Sequence, residues 1–218
     1  MTGVTVGVLT PHAAPGPEVE LPALSRGQVR TVVVRAGSPT EPAASSTPEA
    51  LQAAAATFRS AQVDVVIHAS TTTGYLLGPS EEALLVRELA RLCDTPAFAS
   101  CAAAVAALRA GGAERIQLVH PPWFADALDG LGVAYFRAQG FHAVATRATE
   151  LADDPAQVEA EHVIDWVGRH LLDDVDGIYL AGNGFRTGAA VDELHRRTDK
   201  VVVSANQALL TMLRSARR

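Results

Sequence analysis

Thiols and lysine are nearly missing from this chain of 218 residues, which holds two cysteines, Cys93 and Cys101, and one lysine, Lys200. Two cysteines make no disulfide framework, and no CxxC or Cys/His cluster has the spacing of a zinc site, so no metal is expected. Positive charge is also short: 18 Lys and Arg stand against 24 Asp and Glu, a net charge of −6. Nothing here forms a global basic footprint, which excludes nucleic acid and an anionic membrane surface as main partners. No apolar run approaches the roughly 18 residues that span a bilayer, and the opening "MTGVTVGVLT" has no basic segment leading into an apolar stretch and a cleavage site. The expectation is a cytoplasmic protein. Core-forming residues, in contrast, are plentiful: 48% are hydrophobic and 19% charged, enough to bury a substantial core.

Val- and Ile-rich runs alternate with Ala/Leu/Glu/Arg segments of helical length, a pattern of βαβ units building parallel sheets. Strands are expected at Val4–Thr10, Val29–Arg35, Val63–Ser70, Ala97–Ser100, Ile116–His120, His142–Thr146, Gly177–Ala181 and Val201–Ser204, with helices between them. Thr47 before Pro48 reads as a helix cap with proline at the first helical position, Ser80 before two glutamates as another start, and Gly111–Gly112 as a helix end. The chain also repeats itself. "VGVLTPH" from Val6 matches "IQLVHPP" from Ile116 in form, and "VDVVIHAST" from Val63 matches "VDGIYLAGN" from Val175. The fold class is therefore α/β, in two pseudo-symmetric halves, each a mostly parallel sheet flanked by helices. The halves are placed at 1–105, completed by a C-terminal helix at 205–218, and at 106–204.

Ligands of open parallel sheets bind beyond the carboxyl ends of the strands, so the site is expected between the halves. There the loop after Ser70 would offer Ser70, Thr71, Thr72 and Thr73, and "AGNGFRTG" would offer Asn183, Arg186 and amides made approachable by Gly182 and Gly184. Hydroxyls with backbone amides suit a carboxylate or enolate oxygen. Neither loop matches GxxxxGK[ST] or GxGxxG, so phosphate is the weaker guest.

The pieces "GVLTPHAAP", "DVVIHASTTTGYLLG", "ALRAGGAERIQLVHPPW", "DGIYLAGNGFRT" and "VVVSANQALLTMLR", in this order over essentially the whole chain, resemble the arylmalonate decarboxylase and maleate isomerase branch of the aspartate/glutamate racemase superfamily. That resemblance implies a cofactor-independent enzyme with a small carboxylic acid bound between two halves, and often a homo-oligomer. It also implies a cysteine at the end of each of two equivalent strands, positions that fall on Ser70 and Gly182; decarboxylase members keep only the second. A thiol titrates close enough to neutrality to move protons, whereas a lone serine hydroxyl does not. The dioxyanion hole of decarboxylase relatives falls on Thr71, Thr72 and Asn183, and a family tyrosine falls at Pro122 or Trp123, neither a phenol.

With both thiol positions changed, histidines are the candidates for proton transfer: His12 after Pro11, His120 at the end of the midchain strand, and His68 on the same strand face as Ser70. Ser204 and Asn206 are candidate ligand contacts or helix caps, and Pro121–Pro122–Trp123 a pocket wall or a boundary turn. Substrate contacts are thus expected from Pro11, Thr73, Gly182, Gly184, Trp123, Ser204 and Asn206, and chemistry from Ser70, Thr71, Thr72, Asn183, His12 and His120. The leading expectation is a decarboxylating or eliminating lyase, or an isomerase, working through an enolate-like intermediate. The alternatives are a carboxylate-binding protein without catalysis, and a hydrolase or cyclase with Ser70 as nucleophile and His12 or His120 as base.

Overall fold

The structure, a computed structural model, describes residues 3–38 and 40–216. Two four-stranded parallel sheets carry the chain. The first contains β1 (Val4–Thr10), β2 (Val29–Arg35), β3 (Val65–His68) and β4 (Ala97–Ala99) in the order β2-β1-β3-β4. The second contains β5 (Arg115–His120), β6 (His142–Arg147), β7 (Gly177–Leu180) and β8 (Val201–Ser204) in the order β6-β5-β7-β8. The inner strands β3 and β7 are buried along their whole length, which is why they read as unbroken apolar runs.

Hydrogen-bond register makes the repeat literal. Ala69 N–H donates to Leu9 carbonyl at 2.8 Å, and Ala181 N–H donates to Val119 carbonyl at 2.9 Å. Ala36 N–H donates to Thr10, as Ala148 N–H does to His120. Thr10 therefore corresponds to His120, His12 to Pro122, Ser70 to Gly182 and Thr71 to Asn183.

Helices α1 (Pro17–Leu24), α2 (Pro48–Ser60), α3 (Thr71–Cys93), α4 (Ser100–Ala110), α5 (Ala127–Ala138), α6 (Ala160–His170), α7 (Val191–Thr198) and α8 (Ala205–Ser215) cover the sheets. The alanine-rich α4 packs closely on α8, and one apolar core runs through both halves, from Val6, Val8 and Ile67 to Ile116, Leu118 and Tyr179. α8 also lies against α1. Thr47 caps α2 by accepting from Ala50 N–H at 3.3 Å, and Gly112, at φ +79°, follows the end of α4.

One expectation is corrected. The hydroxyl run is not a loop: β3 stops at His68, Ser70 becomes the cap of α3, and Thr71 onward is helical. Gly78 then breaks the helix at φ +74° and ψ 169° just before Pro79, so the expected start near Ser80 is the second segment of a kinked helix. No helix among the described residues is long and apolar enough to cross a membrane.

Candidate active site

A cavity of about 550 Å³ opens at the carboxyl end of β1, with walls from both halves. The first half supplies Pro11 and His12 after β1, Thr40 and Pro42 after β2, and Thr72 and Leu76 one turn apart on α3. The second half supplies Trp123, Phe124 and Ala125 after β5 and Ala127, Leu128 and Leu131 from α5. Polar groups therefore come from one half, and the other presents an apolar wall. A second cavity of about 490 Å³ lies at the amino ends of β5 and β6, the end of a parallel sheet where ligands are not expected, and its Arg115 is paired with Asp174.

His12 is the titratable side chain of the larger cavity. Burial holds its imidazole down to about 4; Glu18 pulls it upward and Arg35 pushes it down. The ring is thus neutral at pH 7. Arg35 pairs with Glu18 and donates from Nε to the His12 carbonyl at 3.0 Å, fixing the backbone there. His12 Nε2 is buried and has no partner among the described residues.

The other hydroxyls are committed to the protein itself. Ser70 Oγ accepts from Thr73 N–H at 3.1 Å and lies 2.7 Å from Thr73 Oγ1, which donates to Pro42 carbonyl at 2.9 Å. Among the described residues no imidazole bonds Ser70 Oγ, and both Ser70 and Thr73 are buried, so the nucleophile–base pairing expected for a hydrolase is not formed there. Thr71 and Asn183 face each other across the halves. Asn183 Oδ1 accepts from Thr71 N–H at 3.1 Å, Thr71 Oγ1 at 3.3 Å and Ser100 Oγ at 2.9 Å. Gly182 N–H donates to Thr71 Oγ1 at 3.2 Å. A carbonyl oxygen of the chain's own amide fills the convergence of donors that the sequence assigns to a ligand.

Asn183 is held in turn. Its Nδ2 donates to Asn206 Oδ1 at 2.8 Å, and Asn206 Nδ2 donates to the buried Glu20 at 2.7 Å and to Asn183 carbonyl at 2.9 Å. Burial raises the Glu20 carboxyl, offset by its bonds to Asn206 and to Gly188 N–H. Asn206 is thus a staple, and Ser204 caps α8 by accepting from Gln207 N–H at 3.2 Å. Gly182 sits at φ +97°, where a Cβ would also meet Pro121 at 3.3 Å and Phe124 at 3.4 Å. Gly184 is buried beneath Gly16 of the β1–α1 turn.

His120 does not share His12's position, because the register places it two residues earlier. Its Nε2 lies 3.1 Å from Tyr75 OH and its Nδ1 2.7 Å from Asp129, which Arg147 also binds. Burial lowers its basicity and Asp129 partly restores it. Neither cysteine lines the cavity: burial pushes both thiols up, and Cys101 Sγ rests 3.5 Å from Thr71 carbonyl. Of the expected residues, then, Pro11, His12, Thr72 and Trp123 reach the cavity; Ser70, Thr71, Thr73, Gly182, Asn183, Gly184, Ser204, Asn206 and His120 stand outside its walls. The reading of the sequence missed Thr40, Pro42, Leu76, Phe124, Leu128 and Leu131. One signal was present, the i,i+3 pair Leu128/Leu131 at the start of a helix, but it reads equally as core.

Known proteins give this geometry a context. Among solved structures, the chain is similar to a maleate isomerase of Pseudomonas putida determined with maleate, at 25% identity and a TM-score of 0.82, over 96% of this chain and 92% of that one. It is similar to a maleate cis-trans isomerase of Nocardia farcinica bound to TRIS, at 25% identity and a TM-score of 0.83, over 98% and 92%. Arylmalonate decarboxylase shares the fold at 21% identity and a TM-score of 0.79, over 94% and 88%. A comparison with curated proteins gives no match. The model of the arylmalonate decarboxylase family matches residues 42–216, which take in α3, the interlocked Thr71–Asn183 contact and the apolar wall, and the chain accordingly belongs to the arylmalonate decarboxylase family.

Proposed function

We propose that the cavity binds a small diacid with an apolar substituent, of the arylmalonate class, and decarboxylates it without cofactor or cysteine. The observation that carries this reading is a neutral, depressed imidazole, His12, set in a cavity whose opposite wall is apolar. A dianion entering beside His12 raises the imidazole pKa by the same Coulomb attraction that Glu18 exerts, so the ligand brings a proton onto His12 as it binds. One carboxylate is then held by the imidazolium and by Thr72, which offers its hydroxyl and a first-turn N–H with no bond in the chain among the described residues. The other faces Trp123, Phe124, Leu128 and Leu131, where a charged group is poorly solvated and neutral carbon dioxide is favoured.

Atoms balance in two steps. The C–C bond to the apolar-side carboxylate breaks, carbon dioxide leaves, and the electron pair moves onto the α-carbon and the retained carboxylate as an enediolate. His12 then gives its proton to the α-carbon and returns to the neutral form. The imidazolium is scarce while the site is empty and forms as the dianion binds, which suits this order of events.

A second reading, isomerisation of a maleate-like diacid, is supported by the two relatives at 25% identity. The Nocardia farcinica relative has been seen with a covalently bound succinylcysteine intermediate. In this chain the buried thiols do not line the cavity, so a cysteine adduct of that kind has no nucleophile there. Incubation with phenylmalonate in heavy water tests the choice. Phenylacetate carrying one deuterium at the α-carbon is expected, with kcat falling on the order of a hundredfold in His12→Gln. Conversion of maleate to fumarate with no action on phenylmalonate would overturn the assignment.

A further inference from the structure

His68 takes no part in the steps above, yet it is a fully buried polar ring that is only half satisfied. Its Nε2 lies 3.0 Å from Ser45 Oγ, and its Nδ1 has no partner among the described residues. Ser45 settles the tautomer. Its hydroxyl donates to Pro42 carbonyl at 2.7 Å, the shorter of its contacts, so its one hydrogen is spent there and the oxygen must accept from His68 Nε2–H. Nδ1 of His68 is then a bare lone pair in a buried place, and such an acceptor needs a donor.

A candidate stands on the neighbouring strand. His12 Nε2 is likewise buried without a partner, and His12 leaves the end of β1, the strand whose Leu9 pairs with His68. His12 is close enough to disfavour protonation of His68, and burial keeps His68, like His12, neutral down to about 4. The charged groups acting on His12 are Glu18 and Arg35; those on His68 are His12 and, through a hydrogen bond, the Ser45 hydroxyl.

We propose that His68 is a positioning residue for His12: its bare Nδ1 takes the Nε2–H of His12 through one water, and so leaves the Nδ1 lone pair of His12 facing the cavity. The relay runs from Pro42 carbonyl through Ser45 and His68 to His12 and fixes which nitrogen of His12 collects and delivers the proton. It rests on the reading of His12 as the proton carrier. During a turnover the Nε2–H bond is never broken; only the Nδ1 proton comes and goes. This resembles the way a buried acceptor sets the tautomer of a catalytic histidine in hydrolase triads.

Long-range ¹H–¹⁵N spectra of the intact protein labelled at histidine nitrogens, at neutral pH, test the pairing without a ligand. His12 and His68 are both expected as Nε2–H tautomers. Two variants separate positioning from mere packing, because the amide of Asn places an acceptor where imidazole Nδ1 stands and the amide of Gln reaches the Nε2 position. His68→Asn should keep His12 in the Nε2–H form, whereas His68→Gln should release it to a tautomer mixture and lower kcat on phenylmalonate on the order of tenfold with little change in KM. A wild-type His12 that is mainly Nδ1–H, or Asn and Gln variants with the same His12 spectrum as each other, overturns the proposal; the wild-type spectrum decides even where a variant does not fold. Wild-type turnover in His12→Gln would instead remove the catalytic reading and leave the tautomers as found, so the two failures are told apart.

Discussion

The two halves share a strand order and a hydrogen-bond register, and they differ where their central strands end. In the first half Ser70 caps a helix that starts at once, which brings Thr72 and Leu76 to the cavity. In the second half the equivalent Gly182 turns at φ +97° into a loop that delays helix α7 until Val191. That loop sends Asn183 inward to the donors of Thr71 and Ser100 rather than toward a ligand. The cost of duplicating a fold is two equivalent sites; here one copy has become the polar floor and the other a lock and an apolar wall. Symmetry in the backbone does not imply symmetry in chemistry.

The largest expected effect breaks the lock. Asn183→Ala leaves Thr71 N–H, Ser100 Oγ and Asn206 without their partners in a buried place, and urea unfolding should show a loss of about 3 kcal/mol or more. Next is acid. His68 is held at about 4 in the fold against 6.5 for a free imidazole, so between those values the unfolded chain binds more protons and stability falls as pH drops through 6.5 toward 4. For His68 the loss is on the order of 3 kcal/mol. His12 adds to it in the same direction, less fully because part of its ring meets solvent. Unfolding midpoints measured between pH 6.5 and 4 should fall, and the slope in that window should shrink in His68→Asn.

Smaller effects sharpen the contrast between Ser70 and Gly182. Gly182→Ala forces a Cβ into a left-handed backbone and against Pro121, and thermal unfolding should register about 1–3 kcal/mol of destabilisation. Ser70→Ala removes only a cap and one hydroxyl contact, about 1 kcal/mol. Equal losses at the two positions would mean that the turn at Gly182 is unstrained. The smallest change is expected at Cys93, the last residue of α3, which packs into the core away from the cavity: Cys93→Ala should leave phenylmalonate turnover within a factor of about two.

Much of the fold was legible because alternation of apolar strands and amphipathic helices is a local signal. The offsets of the repeat, Val6 with Ile116 and Val63 with Val175, even give the correct register of the halves. The site was less legible. Places after strand ends single out His12, Pro11, Thr72 and Trp123, and these four line the cavity. Asn183 was read as a ligand group because its residue type and glycine neighbours fit one, and nothing local tells an amide aimed at a ligand from one aimed at Thr71. His120 stands at a strand end much as His12 does, but the register sets it two residues earlier, against Asp129. Leu128, Leu131 and Phe124 carry no chemical signature, and only the packing of α5 against α3 shows that they face a cavity. His12 also lies before residue 42, outside the stretch matched by the family, so its role depends on the geometry of this chain.

Proton uptake on binding tests the central claim most directly, since it asks whether a neutral histidine of the first half is loaded by the ligand. Phenylmalonate is added to the protein in weakly buffered solution at neutral pH and the protons taken up per bound ligand are counted before turnover, in wild type and in His12→Gln. The account predicts close to one proton for wild type and none for the variant. Binding without uptake in wild type, or equal uptake in both, would contradict it.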